Sequence, residues 1–371
     1  MEGLVIPMFD QSYQGKRVWL SGHTGFKGAW LAEWLLALGA HVHGYALPPD
    51  PAQPLFDGLT LGSRLKSQFA DIRDAAVVRR SITDFQPDFI FHLAAQPLVR
   101  LSYEIPAETL ATNVMGTVHV LDALRDLRKP CAAVMVTSDK CYENLETGRP
   151  HEESDPMGGR DPYSASKGMA ELAVASYRRS FFGPAHQVRL ASARAGNVIG
   201  GGDLAADRIV PDIFRARASG RTLAVRNPTS TRPWQHVLEP LSGYLWLGAC
   251  LASPSRARVA AEVASGFNFG PRPEAVRTVG ELTARFTQAW PDLRIESGPA
   301  GPHEAARLSL AITKAERVLG WRPVWDFDTT VRKTADWISG EAAGGVHRRL
   351  CADDLAAYAA AAGEADLAWT R

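Results

Sequence analysis

Residues 21–28 read Ser-Gly-His-Thr-Gly-Phe-Lys-Gly, and they stand between two apolar segments of different character. The preceding residues, 16–20, read Lys-Arg-Val-Trp-Leu, which is typical of a short buried strand. The following residues, 30–38, form an apolar run with helical periodicity. A strand, a glycine-rich turn and a helix in this order are the context in which a dinucleotide-binding turn is expected.

The three glycines of this turn have separate expected roles. Gly22 permits the tight turn, Gly25 lets backbone N–H groups approach a pyrophosphate, and Gly28 lets the helix pack on the sheet. The helix N-terminus favours the negative charge of a phosphate. The spacing is G-x-x-G-x-x-G rather than G-x-G-x-x-G, and a glycine-rich turn without a ligand is the alternative interpretation. The candidate cofactor-binding residues of this turn are Gly22, His23, Thr24, Gly25, Phe26, Lys27 and Gly28.

Strands and helices alternate through the first half of the chain. We predict further strands at 40–46, 67–70, 88–95 and 132–137, and helices at 75–85, 108–128 and 162–181. This alternation predicts an α/β fold, a Rossmann-type doubly wound parallel sheet with helices on both faces. Ligands are then expected at the carboxyl ends of the strands.

The regular alternation ends near Asn197, where Gly- and Pro-rich segments begin. A chain of 371 residues is long enough for about two domains. We therefore predict a Rossmann domain over 1–195, to which some later segments return, and a smaller, mainly substrate-binding domain over 196–340. Residues 341–371 are expected to form a linker, with Gly340 to Gly345 at its start, and an Ala-rich C-terminal helix.

Composition excludes several classes of partner. The 41 basic and 40 acidic side chains nearly cancel, and no basic block is present, so nucleic acid is not an expected partner. No apolar run approaches ~18 residues, and Met1 to Gln14 lacks a signal pattern, so no membrane association is expected. The cysteines lie far apart without a C-x-x-C pair, which predicts no metal site, no disulfide framework and a reduced cytoplasmic setting; they are Cys131, Cys141, Cys250 and Cys351.

A second pattern, Tyr-Ser-Ala-Ser-Lys, occupies residues 163–167 of the predicted helix 162–181. Residues four apart on a helix rise by roughly 6 Å and share a face, so the ammonium of Lys167 can lie beneath the phenol of Tyr163. A free tyrosine titrates near pH ~10, so its use as a base near neutrality requires about 4 kcal/mol of phenolate stabilisation. Lys167 and a cationic nicotinamide ring can supply this together, with Ser138 as a hydrogen-bond relay. Tyr-x-x-x-Lys alone also occurs by chance on many helices.

Ser138, Asp139 and Lys140 directly follow the predicted strand 132–137, which places them at the ligand-binding edge of the sheet. Asp139 is the candidate acid and Lys140 the candidate base of a second chemical step. Burial favours a protonated carboxyl group and a neutral amine, as this pairing needs. The alternative interpretation is an ion pair in a solvated loop.

The glycine-rich turn together with Ser138, Tyr163 and Lys167 resembles the extended short-chain dehydrogenase/reductase family. Five stretches resemble more narrowly the CDP-glucose 4,6-dehydratases, a nucleotide-sugar dehydratase branch of it, and the likeness runs from about Gln14 to Trp325. These stretches are 22–28, 93–102, 137–144, 194–203 and 232–240. Leu204 and Ala311 depart from the family pattern, which usually has Trp and Asp at these positions. Related dehydratases acting on dTDP-glucose or GDP-mannose generally have Glu where this chain has Lys140.

The resemblance implies conversion of CDP-glucose to CDP-4-keto-6-deoxyglucose and water. It implies that Tyr163 takes the proton of the carbon-4 hydroxyl while hydride passes to the nicotinamide. Lys140 then removes the proton on carbon 5, Asp139 protonates the departing carbon-6 hydroxyl, and hydride returns to carbon 6. The cofactor is regenerated in each turnover, so the net reaction is that of a lyase.

The resemblance also implies NAD as the cofactor. Residues 44–48, at the end of the predicted second strand, supply neither an acid for a ribose diol nor an Arg for a 2′-phosphate. The expected contacts beyond the glycine-rich turn are Asp71 and Ile72, together with Leu93, Ala94 and Ala95. An ordinary strand-end turn is the alternative interpretation of Asp71 and Ile72.

On the substrate side, Arg208 and Arg232 are candidates for the diphosphate, because guanidinium groups suit bidentate phosphate contacts. Asn113 and Asn197 are candidates for the sugar or nucleotide, although either can instead cap a turn. Gln235 belongs to the same candidate set. His236 is expected to be packed in the core rather than catalytic.

Relatives in the family pair two helices per subunit, so a homodimer formed by the helices at 108–128 and 162–181 is expected. Three interpretations of activity remain open. The first is dehydration of CDP-glucose. The second is dehydration of another nucleotide-hexose, or 4-epimerisation, although an epimerase does not need the Asp139–Lys140 pair. The third is a non-enzymatic NAD-binding protein, since fold alone does not decide function.

Overall fold

The computed structural model describes residues 8–183, 186–205, 208–225, 227–298 and 308–371. The strands are β1 (Arg17–Ser21), β2 (His41–Ala46), β3 (Lys66–Phe69), β4 (Phe89–His92), β5 (Cys131–Val136), β6 (Val188–Ala195), β7 (Val198–Ile199), β8 (Leu223–Val225), β9 (Thr231–Pro233), β10 (Gln235–His236), β11 (Gly266–Phe269), β12 (Val276–Thr278) and β13 (Ile295–Ser297). The α-helices are α1 (Phe26–Ala37), α2 (Leu55–Gly58), α3 (Leu61–Arg64), α4 (Ala75–Phe85), α5 (Val99–Glu104), α6 (Pro106–Leu110), α7 (Gly116–Leu124), α8 (Pro162–Ser180), α9 (Ile209–Ala218), α10 (Leu238–Ala252), α11 (Val279–Ala289), α12 (Phe327–Ala342) and α13 (His347–Glu364).

The main sheet has seven parallel strands in the order β11-β6-β5-β4-β1-β2-β3. The order of its first six strands along the chain, 3-2-1-4-5-6, is that of a Rossmann-type doubly wound sheet. Strand β1 lies at the centre, with Val18 opposite Val42 of β2 on one side and opposite Phe89 of β4 on the other. Every residue of β4 and β5 is buried, as expected for strands that are covered on both faces. The predicted fold class is confirmed.

Two strands of the main sheet, β6 and β11, were not among the predicted strands. Strand β6 extends the sheet beyond β5, and β11 pairs with β6 so that Gly266 lies opposite Ser192. A segment far along the chain therefore returns to the Rossmann sheet. The domain division itself stays a prediction.

The helix predicted at 108–128 is interrupted. It consists of α6, a π-helical turn over Ala111–Met115 and α7, which ends at Leu124. The π-helical turn carries Asn113, whose side chain accepts from Gln96 N at 2.8 Å and donates to Ser166 Oγ at 2.8 Å. These contacts tie the π-helical turn to the segment after β4 and to α8.

The C-terminal helices are connected more tightly than expected. Helix α12 continues through Gly340 to Ala342, so the linker expected at 340–345 is shorter. A Cβ atom on Gly340 would lie 2.7 Å from Leu350 Cδ2, so glycine lets α13 pack closely against α12. Helix α13 is also anchored to α10, because Tyr358 donates to Glu239 Oε2 at 2.7 Å.

Candidate active site

A cleft of about 740 Å³ opens along the carboxyl ends of the parallel strands. One half is lined by the turn after β1 and by the ends of β2, β3 and β4, and the other by the segment after β6 and the region of α9 and β9. The predicted site residues on its wall are Gly22, Thr24, Gly25, Phe26, Lys27, Gly28, Asp71, Ile72, Leu93, Ala94, Ala95, Ser138, Asp139, Lys140, Tyr163, Lys167, Asn197, Arg208 and Arg232.

The glycine-rich turn has the shape that a pyrophosphate requires. Gly22 has a positive φ of 78°, and a Cβ atom there would lie 2.8 Å from Ala94 N. A Cβ on Gly28 would lie 2.0 Å from Gly22 O, so glycine is needed for α1 to start against the turn. A Cβ atom on Gly25 would lie 3.5 Å from Gly22 O, an ordinary contact, and no side chain caps the first N–H groups of α1. These donors and the helix dipole suit a phosphate group of a dinucleotide.

His23 alone among the predicted residues of this turn does not line the cleft. Its ring is buried beneath the turn, with Nε2 3.1 Å from Ser67 Oγ and the ring stacked on Phe69. Gly44 makes room for it, since a Cβ there would lie 2.4 Å from the ring. Burial lowers the pKa of His23 to about 4, so the ring is neutral and supports the turn on β2 and β3.

The half of the cleft that contains the glycine-rich turn also contains Asp71 and Ile72, which follow β3. Asp71 is bound by its neighbour Arg73, with Nη2 to Oδ2 at 2.6 Å, and this hydrogen bond holds the pKa of Asp71 below its usual value. The backbone oxygen of Asp71 accepts from Tyr45 Oη at 2.8 Å. These contacts tie the strand-end turn to Arg73 and Tyr45, and β2 itself carries no carboxylate.

Tyr163 and Lys167 share one face of α8, whose first turn is capped by Asp161. The Lys167 ammonium lies 6.0 Å from the centre of the Tyr163 ring, and both side chains are buried. Burial raises the pKa of Tyr163 to about 12, although a hydrogen bond with Ser138 and the charge of Arg208 act in the opposite direction. Burial also lowers the pKa of Lys167 to about 8. Burial thus acts against the charged form of both side chains.

The turn after β5 carries Ser138, Asp139 and Lys140. Ser138 Oγ donates to Asp139 Oδ1 at 2.9 Å and accepts from Lys140 N at 3.2 Å. Asp139 is 2% exposed, and burial raises its pKa, while Lys140 and Ser138 oppose that effect. A solvated loop ion pair therefore does not describe Asp139. The carboxyl group lies against Gly196, where a Cβ atom would come within 2.7 Å of Asp139 Oδ2.

Three half-buried cations lie on the cleft wall: Lys27 from the glycine-rich turn, and Arg208 and Arg232 from the substrate half. Arg208 Nη1 lies 2.9 Å from Asp203 Oδ2, and Arg232 Nη1 donates to Thr231 O at 2.9 Å. Burial and the nearby charge of Arg208 lower the pKa of Lys27 to about 8. A cluster of this kind is suited to a diphosphate.

Two predicted substrate-binding residues lie behind the cleft wall. Asn113 is 1% exposed, and both ends of its amide are bonded within the protein, to Gln96 and Ser166. Gln235 is equally buried, and its Nε2 donates to Phe269 O at 3.3 Å. The expectation that His236 is packed is confirmed, since its ring is fully buried with its centre 4.8 Å from that of Trp325.

A buried polar network that was not among the predicted site residues lies behind the candidate catalytic side chains. Its centre is Glu171 on α8, paired with Arg194 at the end of β6 at 2.8 Å. The network also includes Thr137, Tyr142 and Ser192. The spacing of Glu171, eight residues after Tyr163, was a signal that it shares the face of the catalytic pair.

A dinucleotide cleft beside a Tyr-x-x-x-Lys helix defines the class of the extended short-chain dehydrogenase/reductases. A sequence model of the GDP-mannose 4,6 dehydratase family matches residues 20–334, and the chain belongs to that family. A CDP-glucose 4,6-dehydratase of Salmonella typhimurium is 48% identical over 337 residues, covering 89% of this chain and 92% of the relative. A probable dTDP-glucose 4,6-dehydratase of Sinorhizobium fredii is 26% identical, covering 86% of this chain and 92% of the relative.

Solved structures share the fold. A dTDP-glucose 4,6-dehydratase of Streptomyces venezuelae, crystallised with NAD, superimposes with a TM-score of 0.73 at 24% identity, covering 89% of this chain and 98% of that one. A UDP-glucose 4-epimerase of Thermotoga maritima gives a TM-score of 0.74 at 18% identity, covering 88% of this chain and 99% of that one. Both dehydratases and epimerases therefore use this architecture, and the side chains of the site must distinguish the two activities.

Proposed function

We propose that the chain converts CDP-glucose to CDP-4-keto-6-deoxyglucose and water, with NAD as its bound cofactor. The observation that carries this proposal is the position of Asp139 and Lys140 on the same cleft wall as Tyr163. An epimerase needs the Tyr–Lys pair but no separate acid and base for the loss of water. The resemblance to the Salmonella enzyme, at 48% identity, favours CDP-glucose among the nucleotide-hexoses.

NAD fits the first half of the cleft on the observations above. Gly22, Gly25 and the uncapped start of α1 would hold the pyrophosphate, and Asp71 and Ile72 would border the adenine end. When bound, NAD would supply the acceptor for the hydride of carbon 4, the donor that returns it to carbon 6, and a positive charge that favours the phenolate of Tyr163.

The protein's own residues manage the protons. Tyr163 takes the proton of the carbon-4 hydroxyl, and Ser138 donates a hydrogen bond to the phenolate as it forms. The raised pKa of Asp139 keeps its carboxyl group protonated at higher pH than a free aspartate, so it can protonate the departing carbon-6 hydroxyl. Lys140 lines the cleft beside it and is the proposed base for the proton on carbon 5.

Arg208 and Arg232 are proposed to bind the diphosphate of CDP-glucose, and Asn197 lies between them and the catalytic turn in sequence and on the same wall. Lys27, from the glycine-rich turn, adds a third cation to the cleft wall, near enough to Arg208 for that charge to lower the pKa of Lys27.

We also propose that the protein is a homodimer in the cytoplasm. Exposed apolar side chains concentrate on α5, the π-helical turn and α8, where Tyr103, Met115, Met169 and Leu172 are 46–62% exposed. A contiguous apolar surface of this kind on paired helices is typical of a subunit interface. The four cysteines are buried and free, which suits a reducing compartment. None of the described helices is long and apolar enough to cross a membrane.

The deciding experiment incubates the purified protein with CDP-, dTDP- and GDP-hexoses and measures products by mass. We expect loss of one water from CDP-glucose with catalytic amounts of NAD, because each turnover regenerates the cofactor. Isomerisation without loss of water would indicate an epimerase. Steady accumulation of NADH with product would indicate a simple dehydrogenase.

A further inference from the structure

The turn with the proposed acid and base is anchored on both sides by one buried ion pair. On its N-terminal side, Thr137 Oγ1 donates to Glu171 Oε1 at 2.5 Å. On its C-terminal side, Arg194 Nη1 donates to Tyr142 Oη at 2.6 Å. Glu171 and Arg194 are themselves joined, Oε2 to Nη2, at 2.8 Å. The residues between these anchors are Ser138, Asp139, Lys140 and Cys141.

The same ion pair is attached to the helix of the hydride-transfer residues. Tyr163, Lys167 and Glu171 are spaced four residues apart on α8, and so occupy one face at successive turns. Glu171 is 3% exposed and Arg194 is 5% exposed, so water does not compete for their contacts. Any movement of Glu171 relative to the turn changes the distance between Tyr163 and the Ser138–Lys140 segment.

The pair makes further polar contacts with its surroundings, although Arg194 Nε is buried without a hydrogen-bond partner. Glu171 Oε2 also accepts from Ser192 Oγ at 2.7 Å, and Tyr142 Oη donates to Asn268 Oδ1 of β11 at 2.7 Å. Burial acts to raise the pKa of Glu171, but Arg194 and the hydroxyl donors outweigh it, and the pKa lies below its ordinary value. The carboxylate is therefore charged throughout the neutral range. A buried ion pair contributes little to stability compared with apolar packing, so its retention here needs another explanation.

We propose that the Glu171–Arg194 pair is a positioning device that holds the acid/base turn in register with the Tyr163–Lys167 helix. The pair touches neither substrate nor cofactor in this arrangement, since neither residue lines the cleft. It acts through Thr137 and Tyr142, which flank the turn. The consequence is that the groups for oxidation at carbon 4 and for water loss across carbons 5 and 6 are placed by one common contact. This inference rests on the proposed dehydratase function.

The main test compares Glu171→Gln with a matched control, Glu33→Gln. Glu33 is also buried and also forms a bidentate pair with an arginine, Arg64, but it lies on α1 away from the catalytic turn. For Glu171→Gln we expect kcat to fall about 10- to 100-fold with little change in KM, the usual range for loss of a side chain that orients a catalytic group. For Glu33→Gln we expect a lower melting temperature and wild-type kcat.

Two smaller changes separate the anchors and keep the test valid if Glu171→Gln folds poorly. Thr137→Val removes only the hydroxyl donor before the turn, and Tyr142→Phe removes only the hydroxyl after it. In single-turnover experiments both variants should accumulate reduced cofactor, because the turn with the acid and base moves while Tyr163 and Lys167 stay on an intact helix. Combining Thr137→Val with Glu171→Gln should add little to the loss caused by Glu171→Gln alone.

Hydrogen exchange supplies a readout that does not depend on turnover. Cys141 N–H donates to Ser138 O within the turn at 3.2 Å, and Gly158 N–H donates to Cys141 O at 2.9 Å. We expect faster exchange at these amides in Glu171→Gln and unchanged exchange in Glu33→Gln. Wild-type kcat and unchanged exchange in Glu171→Gln would overturn the proposal, as would an equal loss of kcat in Glu33→Gln. Inactivity of the wild-type protein on CDP-glucose would instead count against the proposed function, and the exchange comparison would still decide the positioning role.

Discussion

Ser138 belongs to both candidate catalytic groups: its Oγ donates to Asp139 Oδ1 at 2.9 Å, and a hydrogen bond with its side chain acts to lower the pKa of Tyr163. A serine hydroxyl has one proton, so it can donate to only one of these groups at a time. Donation to Tyr163 lowers the pKa of the phenol, and donation to Asp139 favours the carboxylate. Ser138 therefore donates its proton to whichever of the two groups carries the negative charge at a given step.

Replacement of this hydroxyl has a direct consequence for the pH profile. Ser138→Ala removes a hydrogen bond that lowers the pKa of Tyr163, so that pKa rises further. The phenolate is the required base, so a smaller fraction of enzyme is active at each pH below that pKa. We expect the acid limb of kcat/KM to move to higher pH, and Ser138→Thr, which keeps a hydroxyl group, to move it less. An unshifted acid limb in Ser138→Ala would remove the relay role.

Tyr163→Phe tests the first chemical step. No other described side chain on the cleft wall combines a titratable hydroxyl with the adjacent Lys167, so oxidation at carbon 4 should be lost. The measurement is reduced cofactor formed in a single turnover, for which we expect none above background. Binding of the nucleotide sugar should persist, because the diphosphate candidates Arg208 and Arg232 are unchanged. Wild-type turnover in this variant would contradict the whole reaction scheme.

The sequence predicted well those helices and turns that are determined by residues close together in the chain. The bounds of α4 agree with the prediction at 75–85, since Asp74 caps the helix by accepting from the backbone N–H groups of Ala76 and Val77. The turn at 21–28 was readable because Gly22 and Gly28 each have a steric reason to be glycine. The π-helical turn at Ala111–Met115 was not among the predicted elements, and its Asn113 contacts Ser166, 53 positions away in the chain.

The residues of the candidate site also divide into those that short-range sequence patterns predict and those that only the fold reveals. Tyr163, Lys167 and Asp139 line the cleft because their spacing and their position after strands fix where they lie. Asn113 and Gln235 do not line it, since a polar side chain that binds a ligand and one that is satisfied inside the protein look alike in sequence. Arg194 could not be assigned from the sequence either, because only the fold brings it to Glu171, 23 positions away in the chain.

The exposed apolar surface of α5 and α8 predicts assembly. We expect sedimentation of the wild-type protein at micromolar concentration to show a dimer. Leu172→Glu places a charge on a side chain that is 59% exposed in this surface and should yield a monomer. Val346→Glu is the matched control, because Val346 is 65% exposed but lies in the connection between α12 and α13. A wild-type monomer, or equal effects of both substitutions, would count against a dimer through these helices.

His92, at the end of β4, predicts a pH dependence of stability. Ser21 Oγ accepts from the backbone N–H groups of Leu93 and Ala94, so its own proton is donated to His92 Nδ1 at 2.7 Å. The ring is therefore neutral with its proton on Nε2, facing Thr117 Oγ1 at 3.1 Å. Burial lowers the pKa of His92 to about 3, below the unfolded value of ~6.5.

The direction of this pH dependence follows from the linkage between protonation of His92 and folding. The contribution of neutral His92 to stability is fully present above pH ~6.5 and is lost as pH falls towards the folded pKa. In urea unfolding at pH 7 and pH 5, we expect His92→Gln to lose less stability between the two pH values than the wild type, by roughly 2 kcal/mol. His41→Gln, at an exposed ring, should keep the wild-type difference. Equal losses in wild type and His92→Gln would contradict this account.

Asp139→Asn and Lys140→Met separate water loss from oxidation. Neither change removes Tyr163 or Lys167, so hydride transfer should remain partly intact while overall turnover falls about 10²- to 10⁴-fold, the usual range for loss of an acid or base. In a single turnover each variant should therefore build up reduced cofactor together with a 4-keto sugar that still has its carbon-6 hydroxyl. Mass measurement of the quenched sugar distinguishes this species from product, which has lost one water.

Asp139→Asn and Lys140→Met also test the separate roles of the proposed acid and the proposed base. Asp139 is buried and has a raised pKa, so Asp139→Asn removes the proton donor while keeping the size of the side chain. Lys140 is half-buried on the cleft wall, and Lys140→Met keeps most of its length without the amine. If Lys140→Met loses water at the wild-type rate, the carbon-5 proton is removed by another group, and Lys140 serves only as a charge beside Asp139. If Asp139→Asn loses water at the wild-type rate, another group on the cleft wall is the acid. The proposal of dehydration then loses the observation on which it rests, the position of Asp139 and Lys140 beside Tyr163.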